Sequence, residues 1–382
     1  MRDEAVVRTK VFANTVKRFT DEHSGIECSL LTPDAVESVP LSYDWPAFSP
    51  DNEWVIIRCQ FPPGSGKPSG FYRIRTDGTE LVHLSEGGIH PRLTPDGRTL
   101  FVLHPDSPVL HAIDPASGRD DEVCSLEKLL PDGWVFVQMR LSAASGHLFV
   151  MLRQPDITPL RVDLRTGQVV RLDDFDGMVW ACAAEKPRVI VVRQRRAEHG
   201  RRYTYMDYRK LELEPGDRSL WSVDVDGGDE ELVCVDYYSH ATIHGRTTQV
   251  QGCGKWGDRS ITICGAGKEP HKVCQGPYFW HSGASFDAQW IAADTNWPNY
   301  GIQLVHVPTG NFRYLCDSGS SLADGLKHPH PGLSQDGRWA TFRSDRSGNT
   351  QAYLVRIPDE FRQSVISGET GEYAPVWIQR NG

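Results

Sequence analysis

The stretch Gly332-Leu-Ser-Gln-Asp-Gly-Arg-Trp-Ala-Thr-Phe342 contains a turn-forming centre, Ser334-Gln-Asp-Gly337, followed at once by an apolar run that Trp339 opens. Aspartate offers a side-chain acceptor to the N–H groups of a turn and glycine tolerates positive φ, so this pattern predicts the loop of a β-hairpin. The same signal recurs upstream at Ser49-Pro-Asp-Asn52, Thr94-Pro-Asp-Gly97, Ser142-Ala-Ala-Ser-Gly146, Trp256-Gly-Asp258 and Ser285-Phe-Asp287. Strands are expected after these turns at Trp54-Val-Ile-Ile57, Leu100-Phe-Val-Leu103, His147-Leu-Phe-Val-Met-Leu152, Ser260-Ile-Thr-Ile263, Trp290-Ile-Ala292 and Trp339-Ala-Thr-Phe342.

A second turn series interleaves with the first: Thr76-Asp-Gly78, Pro115-Ala-Ser-Gly118, Arg165-Thr-Gly167, Asp226-Gly-Gly228 and Pro308-Thr-Gly310. Two turn series make four-stranded units recurring at roughly 40 to 50 residues, the period of a propeller blade. With Ala184-Glu-Lys-Pro187 as a degenerate fourth turn, the expectation is an all-β chain forming one seven-bladed β-propeller domain over residues 1–382. Residues 195–217 lack strand alternation and read as an insertion carrying Arg195, Arg196, Arg201, Arg202, Tyr203, Tyr205 and Tyr208. The best helical candidates are Leu126–Leu130 and Asp359–Ser367.

Composition narrows the partners. A net charge of −9 argues against nucleic acid, whose phosphates need a basic face. Nine cysteines without C-x-x-C pairs suggest reduced core thiols, and neither an apolar leader nor a membrane span is visible. A cytoplasmic protein that binds no membrane is the expectation, with no signal for oligomeric state beyond Trp297 and Tyr300 as interface candidates. No nucleophile elbow of a peptidase occurs. Pro63-Gly-Ser-Gly-Lys67 reads as a hairpin loop rather than a phosphate loop, because it lies between strands.

The innermost strand of each blade is expected just before its first turn. Read that way, the inner positions hold Tyr43 and Trp45, His90 and Arg92, Gln138 and Arg140, Trp180, Gln249 and Gln251, His281, and His328 with His330. In a strand, residues i and i+2 share a face, so His328-Pro329-His330 can present two imidazoles to one ion while His281 approaches from the next blade. Three histidines with open positions suit a first-row divalent metal. The same spacing also serves hydrogen-bonded structural histidines.

The segment Leu326-Lys-His-Pro-His-Pro-Gly-Leu-Ser-Gln-Asp-Gly-Arg-Trp-Ala-Thr-Phe-Arg-Ser-Asp345 and its continuation to Pro358 resembles the closing segment of the oligogalacturonate lyases. Phe279-Trp-His-Ser-Gly-Ala-Ser-Phe-Asp287 is similar to that family's metal-histidine blade, and Asp217-Arg-Ser-Leu-Trp221 to the segment with its active-site arginine. The resemblance implies a divalent ion, Mn2+ first and Zn2+ or another first-row ion as alternatives, on His281, His328 and His330. It also implies an acidic oligosaccharide as substrate, with Arg218 on a carboxylate. Two departures stand out. The family's further ligand, a glutamine three residues before the first histidine of the HPHP motif, is replaced by Gly325. Its base is a histidine at the start of the fifth blade's inner strand, where Gln249 or Gln251 is expected here.

The expected activity is therefore β-elimination from a uronate, oligogalacturonate or another such as a glucuronate-linked one, leaving a 4,5-unsaturated uronate. Candidates for the proton acceptor are His199, Tyr203 and His244, with His240, Tyr205 and Tyr208 nearby in sequence. Substrate contacts are expected from Arg201, Trp45, His90, Gln249 and Gln251. A non-catalytic binding or scaffold propeller is the alternative that the two departures leave open.

Overall fold

Each Ser/Thr-x-Asp turn closes on itself before it closes a hairpin. Ser285 Oγ donates to Asp287 Oδ1 at 2.5 Å while accepting from Trp290 N at 3.0 Å. Ser334 pairs likewise with Asp336 at 2.7 Å, and Thr94 with Asp96 at 2.6 Å. The N–H of the residue heading the turn then reaches the carbonyl opposite, as Ser285 N does to Trp290 O at 2.9 Å, so the two strands leave the turn in register.

The computed structural model describes residues 10–369 except 42, 46, 105–107, 131–132, 154–156, 174, 176, 195–217, 236–238, 254–259, 277 and 297–298. Among the described residues these hairpins build seven antiparallel sheets, the seven-bladed β-propeller expected from the turns. Blade 1 comprises Glu37–Pro40, Trp54–Gln60, Gly70–Arg75 and Glu80–Ser85; blade 2 comprises Ile89–Leu93, Leu100–His104, Val109–Ile113 and Asp120–Ser125. Blades 3 and 4 start with inner strands Val135–Ser142 and Met178–Cys182, blades 5 and 6 with Ser239–Ile243 and Phe279–Ala284, and blade 7 with Gly332–Leu333. All five turns of the second series join the third and fourth strands of their blades. The two helical candidates become the 3-10 turn Glu127–Leu129 and the helix Asp359–Ser367, and no described helix is long and apolar enough to cross a membrane.

Blade 5 corrects the expected register. Its first turn is headed by His244, whose N–H meets Gln249 O at 2.9 Å, and Gly245 takes φ 58°. Gln251 therefore lies on the second strand, Val250–Cys253, and Gln249 just before it, while Trp256-Gly-Asp258 falls between the second and third strands, outside the described residues. The turn was missed because a histidine heads it instead of the Ser/Thr-x-Asp pair.

Blade 7 draws on both ends of the chain. Glu27–Leu30 pairs with Gln351–Arg356, Cys28 opposite Val355, and Lys17–Thr20 adds a further strand outside it. Val11–Ala13 lies instead on the outer edge of blade 1, Val11 opposite Val82.

The chain divides into two compact units. One spans Met1–Val102, His111–Asp121 and Pro277–Gly382, and the other Leu103–Leu110 and Glu122–Gly276. In the first, Leu31, Phe48, Ile56 and Tyr72 fill the core of blade 1, and Trp290, Leu304, Phe342 and Tyr353 that of blades 6 and 7, where the helix docks Phe361 and Val365. In the second, Phe149, Val179 and Val191 pack between blades 3 and 4, and Ile190, Leu220 and Val250 between blades 4 and 5. Truncating one such fully buried aromatic, Phe342 for example, costs about 3–5 kcal/mol. Tyr300 belongs to the buried set at 2% exposure, which removes it as an interface candidate; Trp297 lies outside the described residues.

Candidate metal centre

Four residues before each turn head the chain passes the same point of its blade. That point holds Trp45, His90, Gln138, Val179, His240, His281 and His330 in blades 1 to 7. His90, His240 and His330 take φ of 49°, 54° and 49°, a left-handed conformation that costs a non-glycine residue free energy and persists only where its surroundings impose it.

The polar residues of blades 1, 3 and 4 near this point serve architecture. Trp45 Nε1 donates to Leu93 O, Gln138 Nε2 to Val179 O at 2.5 Å, Arg140 Nε to Trp180 O, and Trp180 Nε1 to Ala241 O at 2.6 Å. Each side chain thus reaches a carbonyl of the following blade's inner strand, and Trp45, expected as a substrate contact, has its indole N–H committed there.

Blades 6 and 7 use the position differently. His281, His328 and His330 each offer a ring nitrogen, all within 4.8 Å of one another. Their convergence does not come from strand alternation, because blade 7's inner strand begins only at Gly332. Instead, the 3-10 turn Gly325–Lys327 delivers His328, proline follows, and positive φ turns His330 back.

One buried carboxylate braces the pair of blades. Asp294, on the second strand of blade 6 and 0% exposed, faces His281 Nδ1 at 2.8 and 3.1 Å and accepts the backbone N–H of His281 at 2.8 Å and of His330 at 3.0 Å. A carboxylate on Nδ1 fixes the proton there and leaves the Nε2 lone pair to a metal. His330 Nδ1 lies 2.9 Å from His328 O, which again leaves Nε2. His328 Nδ1 lies 3.4 Å from Asn296 Nδ2, while Asn296 Oδ1 is buried with no hydrogen-bond partner; exchanging the two amide atoms would satisfy Oδ1 with the His328 Nδ1 proton and orient the third imidazole like the others. Tyr43 stacks on His330, ring centres 5.5 Å apart at 17°, and tilts against His281 at 5.3 Å.

Burial holds the His330 imidazole well below its usual pKa, and the neighbouring His281 and Arg343 add to that. Burial lowers His328 too, opposed by Asp294 and Asp324. Both rings are therefore neutral near pH 7, the form a metal needs, so the donor set fits a divalent ion. Asp324 is committed elsewhere: it caps the 3-10 turn, accepting Leu326 N at 2.9 Å and Lys327 N at 3.2 Å. At Gly325 an added Cβ would meet nothing within 4 Å.

The remaining expected site residues are dispersed. His244, 3% exposed, is the blade 5 turn head, and its Nδ1 lies 2.8 Å from Oε1 of the fully buried Gln251, so this pair is structural. His240 holds the inner-strand place expected for Gln249 or Gln251. His90 opens the corresponding part of blade 2, half-buried. Arg218 begins the strand Arg218–Val223 opposite Gln194, while His199, Arg201 and Tyr203 lie outside the described residues. Sequence reasoning missed Asp294, Asn296 and Arg343. Only Asp294 left a signal, a charge ending the apolar run from Trp290.

No protein-family model matches the chain, and no curated protein matches it in sequence. Solved structures do. An oligogalacturonate lyase in complex with manganese superposes with a TM-score of 0.73 at 17% identity, over 93% of this chain and 99% of that one. The oligogalacturonate lyase of Vibrio parahaemolyticus gives 0.72 at 15%, over 92% and 99%. The chain has the oligogalacturonate lyase fold. The WD40 repeats of RRP9, also matched over 90% of this chain, reach a TM-score of only 0.53 at 9% identity, so the likeness to the lyases exceeds that to this other propeller. At such identities the likeness concerns the fold.

Proposed function

We propose that the protein is a metal-assisted lyase that cleaves a uronate-containing oligosaccharide by β-elimination and leaves a 4,5-unsaturated uronate. The observation that carries this is the three-histidine cluster, with Nδ1 of His281 and of His330 engaged, set in a fold shared with oligogalacturonate lyases, one of them in complex with manganese. His281, His328 and His330 would hold a divalent ion, Mn2+ first, which would supply Lewis-acid stabilisation of the charge that builds when the C5 proton beside a uronate carboxylate is removed. Asp294 keeps the His281 ring oriented, and the lowered pKa values keep His328 and His330 in their neutral form.

The proton acceptor is assigned to His240, at the place on blade 5 where the resemblance has a histidine, with His199 and Tyr203 as alternatives. It takes the C5 proton, the C5–H electron pair becomes the C4=C5 double bond as the C4–O bond breaks, and the departing oxygen takes a proton from water. Arg218 is retained as a carboxylate contact. With Gly325 where the resemblance has a glutamine ligand, the substrate is extended to uronides other than oligogalacturonate, glucuronate-linked ones included.

Elemental analysis of wild type beside His328→Ala, together with absorbance of the unsaturated product on a panel of uronide oligomers, tests this. One bound ion and product formation, both lost in the variant, are expected. Metal-free wild type that leaves every uronide intact would replace the lyase with a non-catalytic binding propeller.

A further inference from the structure

Arg343 lies on the second strand of blade 7, Trp339–Ser344, and its backbone is tied to the His-Pro-His segment: Arg343 N donates to Pro329 O at 2.8 Å. Two residues earlier Thr341 pairs with Gly332, and a Cβ placed on Gly332 would stand 3.5 Å from Tyr43 Cα and 3.6 Å from Thr341 Oγ1. Alternation along a strand puts Arg343 on the face of Thr341, the face turned to Tyr43 and the histidines. Its Nε is buried without a hydrogen-bond partner, and no Asp or Glu among the described residues stands within ion-pair reach of its guanidinium. Burial lowers its pKa, countered by the nearby Tyr43 and Asp294. A largely enclosed guanidinium with no anion of its own is costly, and that cost falls when a ligand supplies a carboxylate.

We propose that Arg343 is the anion-recognising residue of this centre, donating to the carboxylate of a sugar acid whose other contacts are with the ion on His281, His328 and His330. The inference rests on the uronate reading above and narrows it: the ligand must carry a free carboxylate, so a methyl-esterified or neutral sugar is refused.

Mn2+-loaded wild type, Arg343→Lys and Arg343→Met are titrated calorimetrically with galacturonate, glucuronate and their methyl esters. These monosaccharides have no 4-linked leaving group and are not turned over. Wild type is expected to bind an acid and discriminate against its ester. Arg343→Met should bind the acid roughly 10- to 100-fold more weakly, close to the ester, with manganese content unchanged. Arg343→Lys keeps the charge but loses the fork and should fall between; it also carries the test if the Met variant fails to fold. Equal acid binding by wild type and both variants overturns the role of Arg343 and leaves the uronate reading intact. Manganese lost together with acid binding makes Arg343 a brace for the ligands and also overturns the proposal. Wild type that binds neither acid removes the uronate reading itself.

Discussion

Asp294 makes four contacts to two of the three histidines, so its charge orients a ligand and its position joins two blades. Asp294→Asn keeps the shape and removes the charge; manganese affinity should fall about 10- to 100-fold by chelator competition, with the sheet signal retained. Gly325 is the opposite case, a place where nothing stands. Its surroundings leave room for a longer side chain, so Gly325→Gln should be tolerated and should slow manganese loss to a chelator; a rate unchanged from wild type would show that position 325 does not face the ion. His328-Pro-His330 was legible in the sequence because two imidazoles two residues apart are unusual. Asp294 and Arg343 were not, since their proximity to the centre comes from strand pairing, and a lone charge after an apolar run has many explanations.

Blades were legible where Ser/Thr-x-Asp marks the turn, because the hydroxyl–carboxylate pair is local chemistry written in adjacent residues. Blade 5 was not, because His244 heads its turn and draws its partner, Gln251, from the following strand. The inner strand of blade 6 adds a constraint that spacing cannot reveal. A Cβ on Gly283 would stand 2.8 Å from Pro331 O and 3.0 Å from Tyr43 O, so this strand approaches the Pro331 backbone more closely than a side chain permits and the Tyr43 backbone at the tight limit. Gly283→Ala should push blade 6 from the HPHP loop, cost about 1–3 kcal/mol in a denaturant titration, and weaken metal retention along with it. Lost stability with undiminished metal affinity would mean that the loop moves as one body with His281.

At the scale of the molecule, closure depends on a segment with no turn motif, Lys17–Thr20 and Glu27–Leu30, which the sequence did not mark as part of the last blade. Asp21 fastens it. One carboxylate oxygen accepts Tyr314 Oη at 3.0 Å and Asp317 N at 2.7 Å from blade 6, and the other accepts His23 N and Ser24 N at 3.0 and 2.9 Å. Burial works to raise this carboxyl's pKa, but the hydrogen bonds win and hold it below its usual value. A folded-state pKa below the unfolded one contributes stability that is present above about pH 4 and lost as the pH falls toward the folded value. Asp21→Asn should cost about 2 kcal/mol near pH 7 and flatten the loss of stability below about pH 4, measured by denaturant titration across pH. The seam that Asp21 fastens is the one on which the histidines stand, two before blade 7 and one on blade 6. An ion held on these histidines would thus act as a gauge of this seam. A proteolytic nick in the Asp21–Gly25 turn should release the ion while most of the sheet signal persists, so that metal content reports an opening between blades 6 and 7 before any bulk unfolding is seen.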